Sequence, residues 1–503
     1  MYILTATQMR RADQFTMENE PINSIDLMER AASKCFDWFC VNFDKHQFIH
    51  LFCGPGNNGG DGLALARMLY GAGYQIKATL LQLDSNLSAD CRCNLERLKN
   101  IDNHVVDVVI NNHQFPEIKP DAIIVDAIFG TGLTRNIDGV IGRFVERING
   151  SGNEIISIDL PSGINSDNTS LNPENNIIKA YKTLTFQFLK PGLLVGENST
   201  YFGQVHVLNI GLLLPPGFEK EVNSYLVDQS LIEQIYVPKW EFSHKGNFGH
   251  GLLITGEKGK MGAAILCAGG FLRSGGGLLS LLVPEEGISI VQSAVPEAMV
   301  IVKDDHSADE YIASMDQFNV VGIGPGIGKG DSATMHVKTL IESFKKPIIL
   351  DADALNILSS HPEWLSSLPP NSILTPHPGE FKRLVGGWKT DFEKLEKQRD
   401  FAQKHQVFLI LKGKNSSIAS PNGKMYFNPT GNSGMAKGGS GDVLTGLLTG
   451  ILASGYSQLN TCLLGTYIHG LAGDLAAAKL TKEAMKAGDL IDFLPDAWKK
   501  ITS

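Results

Sequence analysis

The sequence predicts an α/β protein built from two doubly wound units that follow one another along the chain. Three observations carry that prediction. The chain has 503 residues, more than one hydrophobic core usually serves. Apolar runs rich in β-branched residues alternate with stretches of helical periodicity, the rhythm of βαβ units on a parallel sheet. Several runs end in loops bearing glycine or proline, "GPGNNGGDG" from Gly54, "FGTGLTRN" from Phe129 and "PSGINSD" from Pro161. Ligands of open α/β sheets bind beyond the carboxyl ends of strands, so these loops are expected to share a crevice.

In chain order, the first stretch is "RRADQFTMENEPINSIDLMERAASKCFDWF", amphipathic and predicted to pack domain on domain or chain on chain, which makes a homo-oligomer the expectation. Strands follow at "QFIHLFC", "YQIKATLLQL", "AIIVDAIF" and "EIISIDL". The pattern lapses in "LLLPPGFEKEVNSYL", Leu212 to Leu226, where two prolines and several charges predict a linker between domains at 1–215 and 226–503. A second series runs through "GHGLLITG", "FNVVGIGPGIG", "PIILDADAL", "NSILTPHPGEF" and "QVFLILKGKNS", and closes on "NSGMAKGGSGDVLTG" and two apolar helices.

A hydrophobic fraction of 43% with 19% charged residues is that of a soluble globular enzyme. No apolar run approaches the ~20 residues of a membrane span. The start, "MYILTATQMRRADQ", lacks the charge order of a secretory signal, so a cytoplasmic protein is expected. Seven cysteines are scattered, and Cys91 and Cys93 lack zinc or redox spacing, so neither a disulfide framework nor a zinc site is expected. A formal charge of −9 without a long basic run gives no footprint for nucleic acid or membrane and leaves small molecules as partners.

Gly54, Gly56 and Gly59 satisfy G-x-G-x-x-G between a strand and a helix, a Rossmann-like turn, with Asp84 about where a ribose-binding acid stands. Alone this reads as a dinucleotide site; the same turn also serves tight packing. Asn57, Asn58 and Asp61 crowd it with polar groups, and Asp126 and Asp159 end later strands. Carboxylates there repel a diphosphate unless a cation intervenes. A monovalent cation held by Asn58, Asp126, Ser162 and loop carbonyls suits such hard oxygen ligands. Through "GNNGGDG", "DAIFGTGL", "SIDLPSGIN" and "KTLTFQFLKPGLL", four ordered motifs over some 140 residues, this half resembles the YjeF N-terminal family of NAD(P)H-hydrate epimerases. The resemblance implies substrate contacts at Asn57, Asn58, Gly59, Gly60 and Asp61 and at Gly130, Thr131, Gly132, Leu133, Thr134, Arg135 and Asn136. It also implies potassium at Asn58, Asp126 and Ser162, with Asp159 beside the reacting carbon. Epimerising a hydroxyl-bearing carbon needs a proton donor and acceptor; Asp159 is the candidate, with Lys190 its cationic neighbour. Asn165 stands where the family commonly has aspartate.

"KGGSGDVLTG" builds a helix start from small residues, so amides and the helix dipole converge on an anion site. Asp442 in that turn is expected to face a substrate hydroxyl across from phosphates and to accept its proton; serving only as a cap is the plainer alternative. The element resembles the ribokinase-like superfamily. "SHKGNFGHGLLITG", "MGAAILCAGGFLRSGGGL", "GIGPGIG", "DADAL", "LTPHPGEF" and "LKGKNS" narrow the resemblance to the NAD(P)H-hydrate dehydratase branch. It implies nucleotide contacts at Lys412, Gly413, Lys414, Asn415, Ser416 and Gly441, and hydrate contacts at Ala263, Gly326, His377 and Asp442. It further implies ADP, or ATP in some branches, as phosphoryl donor, and a magnesium ion bridging the nucleotide phosphates is expected on electrostatic grounds. His244, Lys245 and His250 around "GNFG" are candidates to steer phosphates, and Asp351 and Asp353 either orient the cation or cap the following helix.

The expectation is a bifunctional repair enzyme: epimerisation of R- and S-NAD(P)HX, and ADP-dependent dehydration of the S form to NAD(P)H. The alternatives are a ribokinase-class vitamin or sugar kinase with an appended Rossmann-like domain, marked by a stable phosphorylated product, and a catalytically idle nucleotide-binding scaffold.

Overall fold

The protein is described by a computed structural model covering residues 1–82, 86–110, 115–167, 176–302 and 315–502. Two compact units divide it, Tyr2–Val222 and Asn223–Ser503, the latter together with Met1. Asp84 lies outside the described residues.

The first unit carries β1 (Phe48–Cys53), β2 (Gln75–Leu81), β3 (Val106–Val109), β4 (Ile123–Ala127), β5 (Ile155–Ile158), β6 (Lys182–Phe186) and β7 (Gln204–Leu208). Their order in the sheet is β3-β2-β1-β4-β5-β6-β7, and every neighbouring pair is parallel. The chain winds outward from β1 to β3, then returns to lay β4 beside β1 and winds the other way. The crevice at that reversal is where a parallel sheet offers a ligand site. β4 and β5 are buried along their whole length, as strands covered on both faces must be. Phe52, Ile124, Ile128, Phe144 and Val145 form part of the core beside the crevice; full burial of each such side chain contributes about 1.5–3 kcal/mol.

The turn after β1 is glycine-built because there is no room for anything else. A Cβ on Gly54 would stand 1.9 Å from the Ile128 carbonyl oxygen, and one on Gly59 would stand 1.7 Å from the Gly54 carbonyl oxygen. Gly56, by contrast, has nothing within 4 Å. The amphipathic N-terminal stretch is two helices, Ala6–Asn19, opened by a Thr5–Gln8 capping box, and Ser24–Asn42. Met28 of the second lies over Gly60 and takes a hydrogen bond from the Asn94 side chain, so this stretch builds the core of its own unit.

The second unit carries β8 (Ser224–Leu226), β9 (His250–Ile254), β10 (Leu278–Val283), β11 (Met299–Val302), β12 (Val320–Ile323), β13 (Ile348–Leu350), β14 (Ile373–Leu374), β15 (Phe408–Leu411), β16 (Ser417–Ala419) and β17 (Met425–Phe427). The order is β11-β10-β9-β12-β13-β14-β15-β16-β17-β8. The sheet is parallel from β11 to β15; β16 and β17 then run antiparallel, and β8 pairs parallel with β17. Its reversal lies between β9 and β12.

The helix Ser440–Ala453 packs against the helix Met261–Leu272 along a seam of small residues. A Cβ on Gly446 would stand 1.8 Å from the Cys267 carbonyl oxygen, and one on Gly270 would stand 2.3 Å from the Val443 carbonyl oxygen. Two backbones this close leave one permitted arrangement, which fixes the first turn of the helix that carries Asp442.

Candidate active sites

In the first unit the strand-end loops and the N-terminal helix enclose a cavity of about 740 Å³, within the range of small-molecule sites. The turn after β1 supplies Asn57, Asn58 and Asp61, the loop after β4 supplies Gly130 to Leu133, and Asp159 and Lys190 follow β5 and β6. Gly59 and Gly60 lie behind this wall in the helix Asn57–Gly71, and Thr134, Arg135 and Asn136 continue the loop without lining the cavity.

Asp159 has φ +67, a left-handed conformation that costs an ordinary residue about 1–3 kcal/mol and recurs at functional sites. One of its oxygens lies 2.7 Å from Lys190 Nζ. The other accepts the Thr131 amide at 3.2 Å. The Lys190 side chain is wholly buried and also donates to Thr185 Oγ1 at 2.7 Å and the Phe186 carbonyl at 3.0 Å. Three acceptors hold the buried Lys190 amine in one position beside the Asp159 carboxyl. Gly130 is needed where Asp159 approaches: a Cβ there would lie 2.9 Å from Asp159 Oδ2 and 3.2 Å from Asn58 Cγ.

Asp126, buried in β4, accepts from the Ser162 amide at 2.8 Å and from the hydroxyls of Ser162 and Ser157. Burial pushes its carboxyl up, and these hydrogen bonds oppose the shift. Both side-chain polar atoms of Asn58 are buried without a protein partner. Two further carboxyls face the same space. Burial pushes Asp61 well above the ordinary carboxylate range, with Asp159, Asp13 and Asp90 adding to it. Asp13, on the helix Ala6–Asn19, is pushed up to about 6 by burial and by Asp159, against the pull of Lys190. Asp13 is absent from the residues that the sequence singles out; one aspartate among the exposed charges of an amphipathic helix gives no signal of its own.

In the second unit, Asp442 occupies the first turn of Ser440–Ala453, after Gly439 at φ +94. Burial pushes it up to about 6; Asp351 and Asp353 add to that, and Lys412 opposes it. Asp351 is buried at the end of β13, where Lys412 Nζ lies 2.7 Å from one oxygen and Thr445 Oγ1 donates to the other at 2.8 Å. Its side chain therefore makes no cap hydrogen bond to the helix Ala352–Ser360, whose N-cap position it occupies, and the next residue, Ala352, takes the left-handed φ of +48. Gly441 fits against this pair: a Cβ would lie 3.3 Å from Lys412 Nζ. Asp353 accepts the Gly328 amide at 3.0 Å, and a Cβ on Gly326 would stand 3.0 Å from the Ala263 Cβ.

His377 caps the helix Pro378–Val385, its Nδ1 accepting the amides of Gly379 and Glu380 and its Nε2 lying 3.2 Å from Glu380 Oε1. Burial pushes Glu380 up, with Lys412 opposing it, so this carboxyl belongs to the same group. Glu380 follows His377 at the spacing of a capping box, the signal by which "HPGE" discloses it. His469 Nε2 lies 2.9 Å from the Ser440 carbonyl oxygen; burial lowers its pKa to about 4, so the neutral ring donates and holds the turn that carries Asp442. Gly413 to Ser416 form a tight turn in which the Gly413 amide donates to Ser416 Oγ at 3.2 Å, while Lys414 Nζ reaches the Gly431 carbonyl at 2.8 Å. The ring of His250 is committed to Ser280 Oγ at 2.9 Å and packs edge-on to Phe318, which removes it from phosphate steering. His244 caps its own turn through the Gly246 amide.

Comparison with known proteins follows this division. The family described as "YjeF-related protein N-terminus" matches residues 24–192, and that described as "NAD(P)H-hydrate dehydratase" matches residues 251–496. The bifunctional NAD(P)H-hydrate repair enzyme of Moorella thermoacetica is 35% identical over 98% of this chain and 96% of its own length. That of Escherichia coli is 31% identical over 97% and 92%. Among solved structures, the ADP/ATP-dependent NAD(P)H-hydrate dehydratase from Bacillus subtilis, co-crystallized with ATP/Mg2+, is 30% identical with a TM-score of 0.50, covering 56% of this chain and 99% of that one. A ribokinase-like superfamily protein from Enterococcus faecalis is 26% identical with a TM-score of 0.51, covering 56% and 96%.

Proposed function

The chain belongs to the family of bifunctional NAD(P)H-hydrate repair enzymes, and on that premise we propose that its first unit interconverts R- and S-NAD(P)HX while its second dehydrates the S form with ADP. One observation carries the reading: each unit sets a carboxylate at its sheet reversal in or beside a lysine–aspartate contact, Asp159 with Lys190 and Asp442 with the Lys412–Asp351 pair. NADHX and NADPHX are the substrates, and the protein works as a cytoplasmic homo-oligomer, checked by cell fractionation and light scattering.

In the first unit Asp159 takes and returns the proton of the hydroxyl on C6, while Lys190 stabilises its negative charge. The residues present fit a potassium ion. Asn58 offers a buried amide oxygen without a partner, and Asp126 and Ser162 offer oxygen ligands nearby. Bound there, the ion would offset the charge of the hydrate's diphosphate.

In the second unit Asp442 accepts the proton of the hydrate's hydroxyl as that oxygen takes the terminal phosphoryl group of ADP, leaving AMP. The ring nitrogen then expels phosphate and a proton leaves C5, giving NAD(P)H. Lys412, Gly441 and the turn from Gly413 to Ser416 hold the nucleotide, and Ala263, Gly326 and His377 hold the hydrate. Among the described residues no group of three or more His, Cys, Asp or Glu side chains is arranged to hold a metal. Asp351 and Asp353 are the carboxylates that would help to hold Mg2+, which would neutralise phosphate charge.

The test is to incubate the full chain with mixed NADHX epimers and ADP in potassium and magnesium, following NADH absorbance. Both epimers should be consumed. Asp442→Asn should abolish dehydration and spare epimer exchange, and Asp159→Asn the reverse. Loss of both activities from either change in folded protein refutes the division, and accumulation of a stable phosphorylated product would favour the kinase alternative.

A further inference from the structure

The cavity of the first unit holds more carboxyls than the proposed chemistry has used. Asp13, Asp61 and Asp159 all line it, and Lys190 is the lysine that faces them. Asp159 has donors on both oxygens, so it is set up to accept. Asp13 comes from a different wall, the helix Ala6–Asn19, which turns Met9, Arg10, Asp13 and Met17 toward the cavity. That helix is fixed in place: the Ala6 amide donates to both carboxylate oxygens of Asp167 at 3.0 Å, and the Asp167 amide donates to Asn165 Oδ1 at 2.9 Å. No hydrogen bond contributes to the Asp13 ionisation, whose upward displacement comes from burial and then Asp159. Two carboxyls whose surroundings differ in this way divide into an acid and a base.

We propose that Asp13 is the proton donor of epimerisation, working with Asp159 on the same hydrated ring from a second wall of the cavity; the inference rests on reading the first unit as the epimerase. Asp159 removes the C6 hydroxyl proton, the C6–N1 bond breaks with its electron pair passing to N1, and N1 takes the proton of Asp13. C6 is then an aldehyde carbon. Rotation about C5–C6 presents its other face, N1 adds back while its proton returns to Asp13, and the oxygen regains its proton from Asp159. Atoms and electrons balance without a co-reactant. The charged groups facing Asp13 are Asp61 from the helix Asn57–Gly71, Asp159 after β5, Lys190 after β6 and Arg10 from its own helix.

The test starts from one purified epimer, full-length protein and no nucleotide, so that the dehydratase is silent, with exchange followed by proton NMR across pH. Asp13→Asn should lower kcat for exchange about a hundredfold or more with little change in KM. It should also remove the alkaline limb that is expected of the wild type near pH 6. Asp13→Glu should recover part of the rate, and dehydration of the S epimer on adding ADP should match the wild type. Exchange by Asp13→Asn at the wild-type rate and pH profile overturns the inference while leaving the epimerase reading intact. A wild-type chain that exchanges no epimers overturns both.

Discussion

The ionisation of Asp442 gives the most direct test of the second site. With its midpoint pushed up to about 6, the carboxylate is available in about ten of eleven molecules at pH 7 and about one of eleven at pH 5. If Asp442 is the base, kcat/KM for the S hydrate at fixed ADP should fall about tenfold over that interval. The largest cause of the displacement is burial, and the next is the charge of Asp351. Two unit charges interact by about 4 kcal/mol at 4 Å and an effective dielectric near 20, and by about half that at twice the distance. At 1.36 kcal/mol per pH unit these are upper bounds; burial contributes more than Asp351 to a displacement from 3.8 to about 6, so removing Asp351 moves the midpoint down by on the order of one unit. Asp351→Asn, which also leaves Lys412 free to favour the Asp442 carboxylate, should therefore carry the acid limb below 6, and the ratio of activity at pH 5 to that at pH 7 should rise about fivefold over the wild type. Lys412→Met removes the charge that holds the midpoint down and should carry the limb upward. The measurement is the pH profile of NADH formation for the three proteins. A wild-type profile flat from pH 5 to 7, or limbs that move the same way in both variants, refutes the assignment of Asp442 as base.

Two further outcomes concern the first unit. Gly54→Ala and Gly59→Ala place a methyl within 2 Å of backbone oxygens and should cost about 3 kcal/mol or more, whereas Gly56→Ala meets nothing within 4 Å and should retain the wild-type melting curve. Asp13 binds its proton more tightly folded than unfolded, with midpoints of about 6 and 3.8, so folding stability falls as pH rises through that window and stays lower above it. Asp13→Asn should accordingly raise Tm at pH 7.5, by about 2–4 °C per kcal/mol recovered, and leave it unchanged at pH 3.5.

What was legible in the sequence was whatever repeats or breaks a local rule. β1, β2, β4 and β5 stand out as long apolar runs because both faces of a parallel sheet are covered. The tight turns show themselves through glycine. β3, β6 and β7, at four or five residues with polar members, and the three-residue β16 and β17, lack that contrast and are recognised only once paired. The same divide separates the site residues. Asp159 and Asp442 sit in motifs, and Lys190 and Lys412 adjoin them. Asp13 and His469 gave no signal, because each acts through a contact made across long sequence separations and lies on an otherwise ordinary helix face. Asp351 read as either a cation-orienting carboxylate or a cap of the helix it precedes; the Lys412 and Thr445 side chains, 61 and 94 residues away, bind it and leave no side-chain cap bond.

The two sites share an electrostatic problem. In the first, Asp13, Asp61 and Asp159 face Lys190, and the hydrate adds a diphosphate to this negative space. The start of the helix Asn57–Gly71 contributes a partial positive charge of about half a unit, too little to balance the sum. Protonation of Asp13 and Asp61 removes some of the repulsion, and a cation at Asn58 would remove more. Replacing potassium by tetramethylammonium at constant ionic strength, an ion too large for a buried oxygen site, should therefore raise KM for the hydrate in epimer exchange more than it lowers kcat. Asn58→Ala should show the raised KM in potassium and no further response to the exchange of ions. The dehydration step, assayed on purified S epimer, should be indifferent to Asn58→Ala. If the wild-type KM is the same in both salts, the buried amide of Asn58 is no cation ligand, and the carboxyl protons of Asp13 and Asp61 must then carry the whole burden of admitting an anion to this cavity.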